Sequence, residues 1–189
     1  NVEAQFLEIE YKYVFDATYM VDSTQSGAKD TKTSATENDG PAIRGQQTKD
    51  DYVFDGWYLG SAKVGAINWA DIAYNAPAEG TGAEVDGKWV ITKTKSATLT
   101  GTFTQIQHTY IYELTFKGPA GATLPTPNPK VNTGSAPAIA GETASLANHY
   151  FKGWGAISAY AENTTRLDKS DPLHWKHYLE ANVEAQFLE

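Results

Sequence analysis

Leu179-Glu-Ala-Asn-Val-Glu-Ala-Gln-Phe187 alternates without a break: Leu179, Ala181, Val183, Ala185 and Phe187 are apolar, and Glu180, Asn182, Glu184 and Gln186 between them are polar. Successive side chains of an extended backbone point to opposite sides, so a period of two marks a strand with one face on a core. The stretch Asn182–Glu189 also repeats the first eight residues of the chain, Asn1-Val-Glu-Ala-Gln-Phe-Leu-Glu8, at an offset of 181. Eight identical residues in register read as one period of a longer tandem array, and as a chain excised from it, with residues 1–8 the tail of a preceding repeat. Ile9, Tyr11, Tyr13, Phe15, Ala17 and Tyr19 form a second alternating row. The apolar parity flips at Phe6-Leu7, and one strand cannot change its buried face without a break, so a module boundary falls between Phe6 and Glu8.

A weaker repeat lies inside the period. Tyr52-Val-Phe-Asp-Gly-Trp-Tyr58 matches His149-Tyr-Phe-Lys-Gly-Trp-Gly155, and Tyr13–Tyr19 matches Tyr110–Phe116, both at an offset of 97. Pro41-Ala-Ile43 and Pro137-Ala-Ile139 precede the two Gly-Trp pairs, and Leu99–Phe103 and Leu179–Val183 follow them at an offset of 80, which leaves about 17 additional residues in the first half. Four landmarks in one order predict two modules, 9–106 and 107–189. Asp86-Gly87 between β-prone residues suits a two-residue type I′ turn and predicts a hairpin inserted in the first module. Short helices are expected at Asn68–Tyr74 and Thr143–Asn148, and exposed loops at Val21–Asp51 and Gly118–Gly134. The fold class is mainly β, shading into α+β.

Composition limits the chemistry. The net charge is −8 and the pI about 5.0, without a Lys/Arg stripe, which disfavours nucleic acid and anionic membrane as partners. No apolar run approaches the length of a membrane-spanning helix. There are no cysteines, so disulfides, thiolate catalysis and Cys-ligated metals are excluded. Aromatic residues make up 12% of the chain and supply its apolar bulk.

An aromatic strand, a Pro-containing connection, an aromatic-x-Gly-Trp and a closing alternating strand together resemble the B-repeats of internalin-type surface proteins, the Listeria–Bacteroides repeats. Phe54-Asp-Gly-Trp57-Tyr58 is close to that family's signature; Phe151-Lys-Gly-Trp154 is similar to it, with Gly155 where an aromatic is usual. The resemblance implies small β-grasp-like modules in tandem on a secreted or wall-anchored bacterial protein, and no catalytic residues. Phe54, Trp57, Phe151 and Trp154 are expected in the cores, with Gly56 and Gly153 where the backbone bends.

Other constellations are weak. His174-x-x-His177 is a poor metal site without a third close ligand, and both imidazoles are expected to face solvent. Asp168-Lys-Ser-Asp171 lacks the Gly and distal Glu of a calcium loop. Asp50-Asp51 reads as a solvated strand entry. A Lys12–Asn182 isopeptide link is conceivable if their strands are neighbours. No nucleophile elbow, phosphate loop or dinucleotide fingerprint is present, so neither an enzyme nor a cofactor is expected. The expected role is a cell-surface stalk whose neighbours are repeats of the same protein, each period adding ~60–70 Å of reach if the modules are globular and stacked. The competing reading is a module that binds host glycan or host protein through exposed aromatics, with Trp69, Tyr74, Trp89 and Trp175 as candidates.

Overall fold

The computed structural model describes residues 3–21 and 28–189. The chain divides into two compact units, Asn1–Thr104 and Gln105–Glu189. Both are mainly β, each with a mixed sheet.

Unit 1 contains β1 (Glu8–Val21), β2 (Lys29–Ser34), β3 (Tyr52–Leu59), β4 (Ala62–Val64), β5 (Thr81–Val85) and β6 (Lys88–Gln105). The sheet order is β2-β1-β6-β3-β4, with β5 also paired to β6. The first and last strands run parallel in the middle, from Glu8 opposite Lys88 to Val21 opposite Gly101. Unit 2 contains β7 (Gln107–Lys117), β8 (Lys130–Thr133), β9 (Tyr150–Trp154), β10 (Ala161–Glu162), a 3-10 turn at Thr164–Arg166, and β11 (His174–Leu188). Here β7 and β11 are the parallel pair, β8 flanks β7, and β9 and β10 both pair with β11.

The alternating rows supply the cores. Phe15, Ala17 and Tyr19 of β1 are buried with Ala97 and Leu99 of β6; Leu114 and Phe116 of β7 are buried with Ala181 and Val183 of β11. Only the C-terminal half of the β1 row is covered. Ile9 and Tyr11 keep the parity but are 56% and 44% exposed.

The structure revises several sequence-based expectations. Tyr13 pairs with Lys93 and Tyr110 with His177, so the closing strands correspond at an offset of 84, not 80, and Leu99 matches Val183. The hairpin at Asp86-Gly87 forms, with φ of 49° and 77° at the two turn residues and Val85 opposite Lys88. Its second arm, however, is the start of β6 and pairs with Glu8–Lys12 of β1. Tyr74 bridges Lys95, and Glu162 pairs with Leu179 at the matching place in unit 2, so the path beside the closing strand is shared. Most additional residues of unit 1 lie upstream, between Trp57 and Tyr74, around β4 and Trp69.

Neither expected helix forms. Around Trp69, the Asn68 side-chain amide donates to Asp71 Oδ2 at 2.7 Å and the Asp71 N–H donates to the Asn68 carbonyl, closing a turn instead. In Thr143–Asn148, Ser145 exchanges backbone hydrogen bonds with Thr123, and Asn148 adopts φ 63°, which interrupts any right-handed helix. The two expected loops contain β2 and β8. Both are short and polar, as suits edge strands that discourage further pairing.

The repeated octapeptide has two fates. In β11, Val183 is buried, Ala185 pairs with Trp154 and Phe187 with Phe151 of β9. In the first copy, residues 3–7 are exposed and outside any strand, and Phe6 is 92% exposed. Removing 182–189 should abolish cooperative unfolding of unit 2, because it strips the partner of β9 and a phenylalanine whose burial is worth up to ~3 kcal/mol. Removing 1–7 should change stability by under ~0.5 kcal/mol, as for an ordinary surface change. Thermal melts of the two truncations measure this; equal losses would show that the first copy is part of unit 1.

Candidate functional site

Each sheet presents its buried face to an irregular segment rather than to a helix, and that segment is pinned by tryptophan. In β3, Phe54 and Trp57 are three residues apart, which in a regular strand would place them on opposite faces. Gly56 between them adopts φ 144°, a conformation open to glycine, and the parity break brings both rings together at 5.4 Å. Gly153 at φ 138° does the same for Phe151 and Trp154, 5.3 Å apart. Opposite it, β11 shifts register between Gln186 and Phe187.

The two clusters correspond contact by contact. Tyr19 meets Trp57 at 4.9 Å, and Phe116 meets Trp154 at 4.8 Å. Phe54 meets Phe103 at 5.2 Å, and Phe151 meets Phe187 at 5.7 Å. Phe15 meets Trp69 at 5.2 Å, and Tyr112 meets Tyr160 at 5.3 Å. Both motif indoles donate to the covering segment, Trp57 Nε1–H to the Arg44 carbonyl and Trp154 Nε1–H to the Glu142 carbonyl, each at 2.9 Å. Tyr58 is half-buried and pairs with Lys63 on the β3–β4 hairpin.

An ion pair ties each covering segment to its edge strand, with the signs exchanged. Arg44 holds Asp30 of β2 through two bonds of 2.7 and 2.6 Å; Glu142 holds Lys130 of β8 at 2.5 Å. The Arg44 guanidinium keeps the Asp30 carboxyl below the usual carboxylate range. Burial pushes the Tyr19 phenol up, so it stays protonated and donates to the Ala42 carbonyl.

The four candidate ligand-contact rings separate. Trp69 is core, 3% exposed, with its Nε1–H on the Pro41 carbonyl, which removes it as a binding residue. Tyr74 is half-buried, between the ammonium groups of Lys93 and Lys95, and its hydroxyl bonds Glu37. Trp175 is half-buried with the Lys169 ammonium 3.7 Å above its ring and His108 at its edge. Trp89 is 42% exposed and lies across Gly82, where a Cβ would come within 2.5 Å of its Nε1. Trp89 pairs with Ile9 and Ile91 with Tyr11, so Trp89, Ile9 and Tyr11 form an exposed strip on one face of the sheet. Sequence reasoning placed Ile9 and Tyr11 in the core because parity shows which face a residue occupies, not how far the cover extends.

The two histidines do not converge. His174 is exposed and bonds Asp171, whereas the His177 side chain is only 13% exposed, against the expectation of a solvent-facing ring. His177 Nδ1 lies 2.6 Å from Glu162 Oε1 and its Nε2 lies 2.8 Å from His108 Nδ1, with Tyr110 stacked on the ring. Asp168 and Asp171 accept the backbone N–H groups of Ser170 and Leu173; the Ser170 side chain and then its N–H hold the Asp168 carboxyl below the usual range, and the Leu173 N–H and then the His174 side chain do so for Asp171. Asp51 occupies a tight turn at φ 61°. Lys12 and Asn182 belong to different sheets, so their strands are not the paired neighbours that the link weighed from sequence requires. Among the described residues no group of three potential ligands could hold a metal ion, and no helix is long and apolar enough to cross a membrane.

No protein-family model, curated protein or solved structure matches the chain.

Trp57→Ala should cost ~3–5 kcal/mol in unit 1, the cost of truncating a buried large ring, and Trp154→Ala, whose ring is partly buried against its core, should cost somewhat less in unit 2. Trp89→Ala should cost under ~1 kcal/mol. Chemical denaturation followed unit by unit with NMR measures all three; a loss below ~1 kcal/mol at either motif tryptophan would remove it from the core.

Proposed function

We propose that this chain is one period of a tandem-repeat spacer on an extracellular bacterial surface protein, a stalk that presents a distal binding region. Its work is mechanical rather than catalytic, and its direct partners are neighbouring repeats. The observation that carries this reading is the duplicated anchor: two units with the same ring contacts, the same indole-to-carbonyl bond and the same parallel central strands, in a chain whose first and last eight residues are identical. The central parallel pair with a flanking strand on either side, in the orders β2-β1-β6-β3 and β8-β7-β11-β9, supports reading each unit as β-grasp-like, although the described residues form no α-helix of the kind such modules usually carry. The Gly-Trp motifs support kinship with internalin-type B-repeats. An acidic surface favours solubility and mutual repulsion between neighbouring stalks.

Proteins of one, two and three periods test the reading by small-angle X-ray scattering. A maximum dimension that grows by a constant increment per 181-residue period is expected; a dimension that grows roughly as the cube root of length, as for collapse into one globule, would contradict a spacer. A second reading, binding of host glycan or protein, is favoured by the exposed strip of Trp89, Tyr11 and Ile9. A tryptophan-fluorescence or chemical-shift change on glycan titration, lost in Trp89→Ala, would favour it.

A further inference from the structure

Unit 1 carries a lysine in its core. Lys95 lies on the central strand β6 opposite Phe15, and its side chain is 3% exposed. Among the described residues it is the buried polar or charged side chain. Burying a cation is costly unless it is fully paired. Its Nζ donates to the Trp69 carbonyl at 2.7 Å and lies 4.7 Å from the centre of the Tyr74 ring. Two further groups reach it from the covering segment: Asn38 Oδ1 at 3.4 Å and Glu37 Oε1 at 4.0 Å. A primary amine, a carboxamide and a carboxyl group therefore converge beside the Tyr74 ring. We propose that Lys95 and Asn38 condense into an intramolecular isopeptide bond, with Glu37 carrying the proton.

The ammonium first passes one proton to the Glu37 carboxylate. The resulting amine attacks Asn38 Cγ, the atom to which the nearby Oδ1 is bonded, while protonated Glu37 polarises that carbonyl. A second proton moves from Nζ to Nδ2. The new Nζ–Cγ bond forms, the Cγ–Nδ2 bond breaks, and ammonia leaves. Ammonia then takes the proton held by Glu37 and departs as ammonium, which restores the carboxylate. Nζ keeps one hydrogen, which the Trp69 carbonyl is placed to accept. No oxidant, metal or cofactor enters the balance. Tyr74 orients Glu37 through its hydroxyl. Burial, then the bond to Glu37, pushes the Tyr74 phenol well up, so it remains a donor.

The product replaces a buried cation with a neutral amide and ties the covering segment to the central strand across 57 positions. Leu179 occupies the place of Lys95 in unit 2, so the site belongs to unit 1.

Intact mass spectrometry of the full chain tests the bond. The expected mass is about 17 Da below the sequence mass, the loss of one ammonia. Trypsin should release Thr33–Arg44 joined to Thr94–Lys117, because a modified Lys95 is not cleaved. Glu37→Ala and Asn38→Ala alter exposed side chains and should fold, each at its full sequence mass. A wild-type chain at its full sequence mass would overturn the proposal. The same loss with trypsin still cutting after Lys95 would assign it to a succinimide at Asn38 and would equally overturn it. Neither outcome depends on the chain being a spacer.

Discussion

The bond from a tryptophan indole to a loop carbonyl is the constraint on which each unit depends. A sheet with one apolar face needs a cover, and helices are the usual one because they satisfy their own backbone groups. Here the cover is irregular chain around Pro41–Gly45 and Ile139–Glu142. Irregular chain over a core needs fixed partners for its carbonyls. Trp57 and Trp154 provide both requirements, a large ring for the core and an N–H for the cover. The glycine before each tryptophan follows from this, since a regular strand would turn one of the two motif rings away from the core.

The duplication is clearer in geometry than in residue identity. Tyr19 and Phe116, Phe15 and Tyr112, and Trp69 and Tyr160 are matched partners with different side chains. The strap from cover to edge strand keeps its ion pair while exchanging the signs. What is retained is a ring at each matched place and the neutrality of the strap, which are features that packing and desolvation respond to. The cover is short, so the outer half of β1 and its partner residues on β6 remain at the surface, with Trp89 among them.

Much of this was legible in the sequence because it is periodic or stereochemical. The alternating rows at Phe15–Tyr19 and Leu179–Phe187, the Asp86-Gly87 turn and the two Gly-Trp pairs all report local geometry directly. The helices at Asn68–Tyr74 and Thr143–Asn148 were misread because propensity is weak, and here Trp69 packing and the Ser145–Thr123 bridge override it. The offset of the closing strands was misplaced by four residues because Leu, Ala and Val rows look alike in any even register; only the pairing with β1 and β7 fixes it. The burial of Lys95 and the partial burial of His177 were invisible, since their surroundings come from Glu37, Asn38, Glu162 and His108, all distant in sequence.

Hydrogen exchange of the indole N–H groups, followed by NMR, addresses the anchor directly. The Trp57 and Trp154 Nε1–H signals should exchange only with unfolding of their own units, while the Trp89 Nε1–H exchanges far faster. Rapid exchange of the Trp57 and Trp154 signals, at rates like that of Trp89, would contradict this anchoring.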